Sequence, residues 1–129
     1  MHEPIVRLVY ERTSPPGVDS GVEPLIAVCA TEEQAERIKA TSSSRRRYAS
    51  WEKLPLQGAS GRTSPLGEGE IVHVVLLGDA QPEPERDPIG VAVHTDRDAA
   101  DRRAADEIRR SGDRGYHVVS LPIGWRAGD

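Results

Sequence analysis

The sequence predicts an α+β fold, a two-layer sandwich of six strands and two helices made from two tandem ββαβ units. Three observations support it. Residues 24–35, Pro-Leu-Ile-Ala-Val-Cys-Ala-Thr-Glu-Glu-Gln-Ala, return at 88–99 as Pro-Ile-Gly-Val-Ala-Val-His-Thr-Asp-Arg-Asp-Ala. Each copy follows an alternating apolar run and precedes a segment that opens on tyrosine and reaches Leu-Pro-apolar, at Leu54-Pro55-Leu56 and Leu121-Pro122-Ile123. In both copies a threonine stands where a helix would start. A repeat of this length constrains architecture because each copy is one supersecondary unit. The chain of 129 residues is the size of one domain, and halves of about 60 residues are marginal alone, so a shared core is expected.

In the first unit, residues 5–11 set Val6, Leu8 and Tyr10 against Ile5, Arg7, Val9 and Glu11, which is strand alternation. Pro15, Pro16, Gly17 and Gly21 mark a loop. Residues 25–30 are continuously apolar, the mark of a strand covered on both faces. Thr31 followed by Gln34 has capping-box spacing, with the glutamine reaching back to the Thr31 amide, and starts a helix from 32 to about 41. Residues 48–54 form the third strand. The second unit repeats the course with strands at 71–77 and 89–94, a cap at Thr95, a helix over 96–111 ended by Gly112, and a strand at 116–121. On that helix Asp98 is expected to pair with Arg102 and Asp106 with Arg110.

The expected boundaries are a first unit at 1–56, a linker at 57–70, a second unit at 71–124 and a tail at 125–129. The first two strands of each unit should pair as a hairpin, and the strands flanking a helix should be parallel neighbours or lie one strand apart. The helices are expected over the face formed by Val6, Leu8, Tyr10, Val72, Val74 and Leu76. That leaves Ile5, Val9, Ile26, Val28, Val75 and Leu77 on an apolar second face, closed internally or by a homodimer or other protein partner.

Composition excludes several classes. A net charge of −4 gives no strongly basic domain of the kind nucleic-acid binders show. The single cysteine, Cys29, rules out a disulfide scaffold within the chain and reads as a small core residue. The amino terminus lacks a signal-peptide pattern and no apolar run approaches 18 residues, so a soluble cytoplasmic protein without membrane contact is expected.

The strand at 88–94, the Thr95 cap and the alanine-bearing start of the helix resemble small uncharacterised ββαβ-repeat proteins of actinobacteria and their phages. That resemblance implies a fold and no activity. Counted from Leu25 to Leu121, with one strand treated as an addition, the chain is also similar to ferredoxin-like βαββαβ domains. Those often bind partners, peptidoglycan or nucleic acid.

Three residue groups are candidate sites. Arg45, Arg46 and Arg47 followed by Tyr48 and Trp51 combine cations with rings, as nucleic-acid binding needs, yet Tyr48 and Trp51 are three apart in a strand and point to opposite faces. His73, His94 and His117 fall on the three second-unit strands and could hold a transition metal only if they converged. Alternation puts His73 and His94 opposite the helix and His117 on the helix side, so no metal site or cofactor is expected. Ser14-Pro15 and Ser64-Pro65, each beside an arginine, could accept phosphate, although turn chemistry explains both. Without a phosphate loop, nucleophile elbow or paired carboxylates, no catalytic residue is assigned. The function expected is a non-enzymatic protein-interaction module that dimerises through an apolar sheet face. The alternatives are nucleic-acid binding through the arginines and a small metal-dependent enzyme built on the histidines.

Overall fold

Alternating apolar residues become strands, and polar caps start the helices between them. The computed structural model describes residues 4–12, 23–59, 62, 64–78 and 88–127. Its elements are β1 (Ile5–Arg12), β2 (Leu25–Cys29), α1 (Glu32–Ser44), β3 (Tyr48–Gln57), β4 (Ile71–Leu77), β5 (Ile89–His94), α2 (Arg97–Ser111) and β6 (Tyr116–Pro122). The fold is α+β, with one six-stranded mixed sheet in the order β2-β1-β3-β5-β4-β6 and two helices. None of the described helices is long and apolar enough to cross a membrane.

Both hairpins form as the pattern requires, β1 antiparallel to β2 and β4 antiparallel to β5. β3 adds antiparallel to β1 and β6 antiparallel to β4, so the strands flanking each helix lie one strand apart. The halves join where β3 runs parallel to β5, among the described residues through only Leu56 opposite Val93 and Gln57 opposite His94. They join again past β6. Gly124 takes φ 92°, turning the chain back antiparallel along β2. Gly124 N donates to Val28 O at 2.8 Å, Val28 N to Trp125 O at 3.2 Å and Ala127 N to Ile26 O at 2.8 Å. Residues 125–127 are therefore not a tail but the segment that ties the last strand to the first. That return brings the two ends of the sheet order together, and inward side chains of both halves share one cluster. The stretch expected as a linker also belongs to the fold: Ala59 is buried, Leu66 packs on the core, and Gly69 and Glu70 bond to Ile123 through the backbone.

Closure reverses the expected facing of the sheet. Val6, Leu8, Tyr10, Val72, Val74 and Leu76 turn inward and pack with Leu56, Val93 and Ile123 in one cluster drawn from both halves. The helices cover the outer face instead: Ala35 and Ile38 of α1 sit on Val9, Ala27 and Cys29, and Ala100 and Ala104 of α2 on Val75 and Ala92. Periodicity marks two apolar faces, and it carries no sign for which one a helix will cover. The register of each hairpin also slips by one residue, between Val9 and Tyr10 and between Val75 and Leu76. In the first hairpin the slip skips Ile26, so Leu25 and Val28 both enter the inner cluster although three apart.

Helix termini follow from side-chain bonding. Thr31 Oγ1 accepts from Gln34 N at 3.2 Å, and Gln34 Oε1 accepts from Ala30 N, one residue before the amide expected. α1 continues past residue 41 to Ser44, and hydroxyls of its last turns are bonded. Thr41 donates to Arg37 O, Ser44 to Thr41 O, and buried Ser42 to the Glu11 carboxylate. α2 is capped by Asp96, not Thr95: Asp96 Oδ2 accepts from Ala99 N at 3.2 Å. Thr95 is occupied in the strand seam, where its N–H donates to Gln57 O at 3.0 Å. A Cβ on Gly58, at φ 85°, would lie 2.5 Å from Thr95 Oγ1. Gly112 ends α2 at φ 78° as expected. Ion pairs on α2 link Arg97 with Asp101, Arg103 with Glu107 and Arg109 with Asp106 rather than the pairs expected from spacing. Asp96→Ala should cost about 1 kcal/mol in urea unfolding, whereas Thr95→Ala should leave the helix start intact; equal effects would refute the capping assignment.

Candidate functional site

None of the six residues expected on an open apolar face is solvent-exposed. Val9, Val28 and Val75 are fully buried, and Ile5, Ile26 and Leu77 are half-buried. α1 lies over Val9 and α2 over Val75, while the register slip turns Val28 into the interior. Among the described residues the exposed large apolar side chains are Tyr48, Ile71 and Ile89.

The arginine run does not form one surface with its rings. Arg45 caps α1, Arg46 adopts φ 60°, and Arg47 pairs with Glu11 at 3.2 Å. Trp51 packs beneath α1, opposite Val9, while Tyr48 sits on the other face at 38% exposure. Three exposed arginines, one of them paired with Glu11 and none sharing a ring platform, make weak, salt-sensitive contact with phosphates. At Ser64, the neighbouring arginine is already engaged: Arg62 donates to Ser64 O, Pro65 O and the Glu70 carboxylate. Ser14 falls outside the described residues.

The histidines separate two against one, with the faces exchanged relative to expectation. His73 stands opposite His94 across β4 and β5 and opposite Ser120 across β4 and β6, on the face that carries α2. His73 Nδ1 lies 2.7 Å from Ser120 Oγ, which also accepts from Arg97 at 2.9 Å. His117 pairs with Leu76 on the inner side. Among the described residues no group of three His, Cys, Asp or Glu is placed to hold a metal. The His94 Nε2 atom is shielded without a hydrogen-bond partner, and burial, helped by Arg103, lowers its pKa below the usual histidine value.

A polar site that sequence reading missed lies at the joint between the halves. Beyond Leu56 and Gln57, β3 and β5 are no longer paired. Tyr10 and Glu52 meet in that gap, Tyr10 Oη donating to Glu52 Oε1 at 2.6 Å. The Gly90 backbone also bonds the phenol oxygen. Burial, reinforced by the Glu52 carboxylate, raises the Tyr10 pKa far above the usual phenol range and keeps it a donor. Gly90 is needed for space: a Cβ there would overlap Glu52 and lie 2.9 Å from both Leu8 Cδ1 and Tyr10 Oη. Beside this pair, Ser50 donates to Glu23 at 2.9 Å. At the matching registers of the other half stand Leu76, Val119 and Leu25, all apolar. Comparing the two copies along their strands, rather than around their caps, is the signal that would have singled out Tyr10, Glu52 and Gly90.

Comparison with family models, curated proteins and solved structures at this point gives no match.

Tyr10→Phe leaves the Glu52 carboxylate without its donor and should lower stability by about 1–3 kcal/mol in urea unfolding. The depressed His94 pKa sets a pH dependence. Below about pH 6.5 the unfolded chain binds a proton at this histidine more readily than the folded one, so stability falls as pH drops through that value. His94→Gln should flatten the slope of unfolding free energy between pH 7.5 and 5.5; an unchanged slope would assign it to other groups.

Proposed function

We propose that this protein is a non-enzymatic interaction module, and that a second copy of the chain docks along the outer edge of β3. The observation behind this reading is one-sided pairing. β3 is matched to β1 from Tyr48 to Pro55, but on its other side it meets a described strand only at Leu56 and Gln57. Leu56 N donates to Pro4 O, toward β1, and Gln57 O accepts from Thr95 N, toward β5. Backbone groups alternate sides along a strand. The amides of Ala49, Trp51 and Lys53 therefore point to the unpaired edge.

Such an edge accepts an extended chain by backbone bonding. Pro55 lacks an amide and Lys53 is charged, both common guards of a strand edge, so the acceptor is restricted to residues 48–52. Antiparallel self-pairing centred on Ser50 sets Tyr48 against Glu52 and Ala49 against Trp51, with no like charges opposed. One residue further out Lys53 would face Arg47, which ends the match. Exposed Tyr48 and Ile89, at 38% and 56%, supply apolar contact beside the seam. This replaces the apolar sheet face with a strand edge as the dimer surface. Behind it we read the scaffold as a duplicated ββαβ unit, supported by the one-residue slip at the same place in both hairpins.

Amide exchange across a protein concentration series tests the proposal. Ala49 and Trp51 should gain protection as concentration rises while Ser50 and Glu52 stay protected throughout, and light scattering should report a dimer that Ala49→Pro abolishes. A monomer at all concentrations, with the Ala49 and Trp51 amides exchanging freely, would refute it.

A further inference from the structure

One row of side chains on the face that carries α2 has no counterpart in the first half. Val75 and Ala92, opposite each other on β4 and β5, lie under α2. Two residues along each strand stand His73 and His94, again opposite each other, so both imidazoles leave the sheet on that same face, beside the start of α2. Ser120 extends the row beyond His73, and Gln57 extends it beyond His94. In the first half Val6 faces Leu54 as Val72 faces Leu121, and the residues at the register of the histidines and Ser120 are Arg7, Cys29 and Lys53.

Strand register sets the separation of the two histidines. Side chains directly opposite on antiparallel strands have Cβ atoms about 4.5–5.5 Å apart. That spacing lets one ion bond a ring nitrogen of each at about 2.0 Å. His94 Nε2 is shielded from water and has no hydrogen-bond partner, an unfavourable state for a polar atom that a metal bond relieves. His73 Nδ1 lies 2.7 Å from Ser120 Oγ, which accepts from Arg97 at 2.9 Å. With its proton on Nδ1, His73 donates to Ser120 and presents the lone pair of Nε2, the arrangement in which an outer partner orients a ligating ring. The neighbouring cations are matched by carboxylates: Arg97 pairs with Asp101 and Arg103 with Glu107, and the charge of Asp96 also reaches His94.

We propose that His73 and His94 bind one late first-row transition-metal dication, Cu²⁺ most tightly, through Nε2 of each ring, with Ser120 orienting His73. The metal class follows from the donors, because imidazole suits copper, nickel and zinc, whereas magnesium and calcium need oxygen ligands. The site does not depend on strand addition at residues 48–52 of β3.

The chain has four histidines, and His2 lies outside the described residues, so His2→Gln serves as the reference chain. Equilibrium dialysis against CuCl₂ should load it with one Cu²⁺ per chain, with Ni²⁺ and Zn²⁺ held more weakly and Mg²⁺ not retained. Ser120→Ala should weaken Cu²⁺ binding by roughly tenfold to a hundredfold, the usual cost of losing an outer partner. His73→Gln and His94→Gln should each weaken it further, and His117→Gln should leave it unchanged. Electron paramagnetic resonance of the loaded reference chain should show superhyperfine splitting from two imidazole nitrogens, a readout that needs no variant at the site. No saturable Cu²⁺ loading, a spectrum with fewer than two imidazole nitrogens, or loading that His73→Gln and His94→Gln both leave unchanged would overturn the proposal. Loading that Ser120→Ala leaves unchanged would overturn the orienting role of Ser120.

Discussion

Closure of the sheet is the constraint on which the other features depend. Two short stretches accomplish it: two residue pairs between β3 and β5, and the return of residues 124–127 along β2. Neither half alone could enclose Val6, Leu8, Val74, Leu76, Leu56 and Val93, which are buried because both halves contribute to one inner cluster. A unit of about 60 residues has too much surface for its volume. Joining two around one interior corrects that ratio without any phenylalanine in the chain.

Once the inner face is closed, the helices have only the outer face to cover. The residues they present are small, Ala35 on α1 and Ala100 and Ala104 on α2, which allows close approach to Val9, Val75 and Ala92. The charged side chains of α2 then lie in solvent and pair among themselves, contributing little to stability. Polar groups enter the protected region mainly where the strands part. There Tyr10 bonds Glu52 on the inner face beside the end of the β3–β5 pairing, and Gly90 supplies both the room and a bond to the phenol.

The two joints between halves differ in chemistry. One is a parallel contact with a polar pair beside it, where Tyr48 to Lys53 of β3 meet no second strand among the described residues. The other is an antiparallel return that fixes Trp125 and Arg126 against β2 and leaves a cleft against α1. Among the described residues the first joint leaves amides of β3 unmatched, and the second fixes the chain after β6 against β2.

The amino-acid sequence by itself determined the local elements: β4 and β5 fall where alternation puts them, Gly112 ends α2, and both hairpins pair in sequence order. These depend on neighbours a few residues apart, whose propensities and caps are written in the chain. Which apolar face is inside was decided only by tertiary structure, because both faces of a closed sheet are covered and periodicity carries no sign for inward. The same holds for Asp96 taking the cap from Thr95, which the β3–β5 joint engages, and for residues 125–127, whose apolar and charged letters look like a tail until β2 lies beside them. Tyr10, Glu52 and Gly90 are far apart along the chain, and their meeting is a consequence of strand order, which no local pattern records.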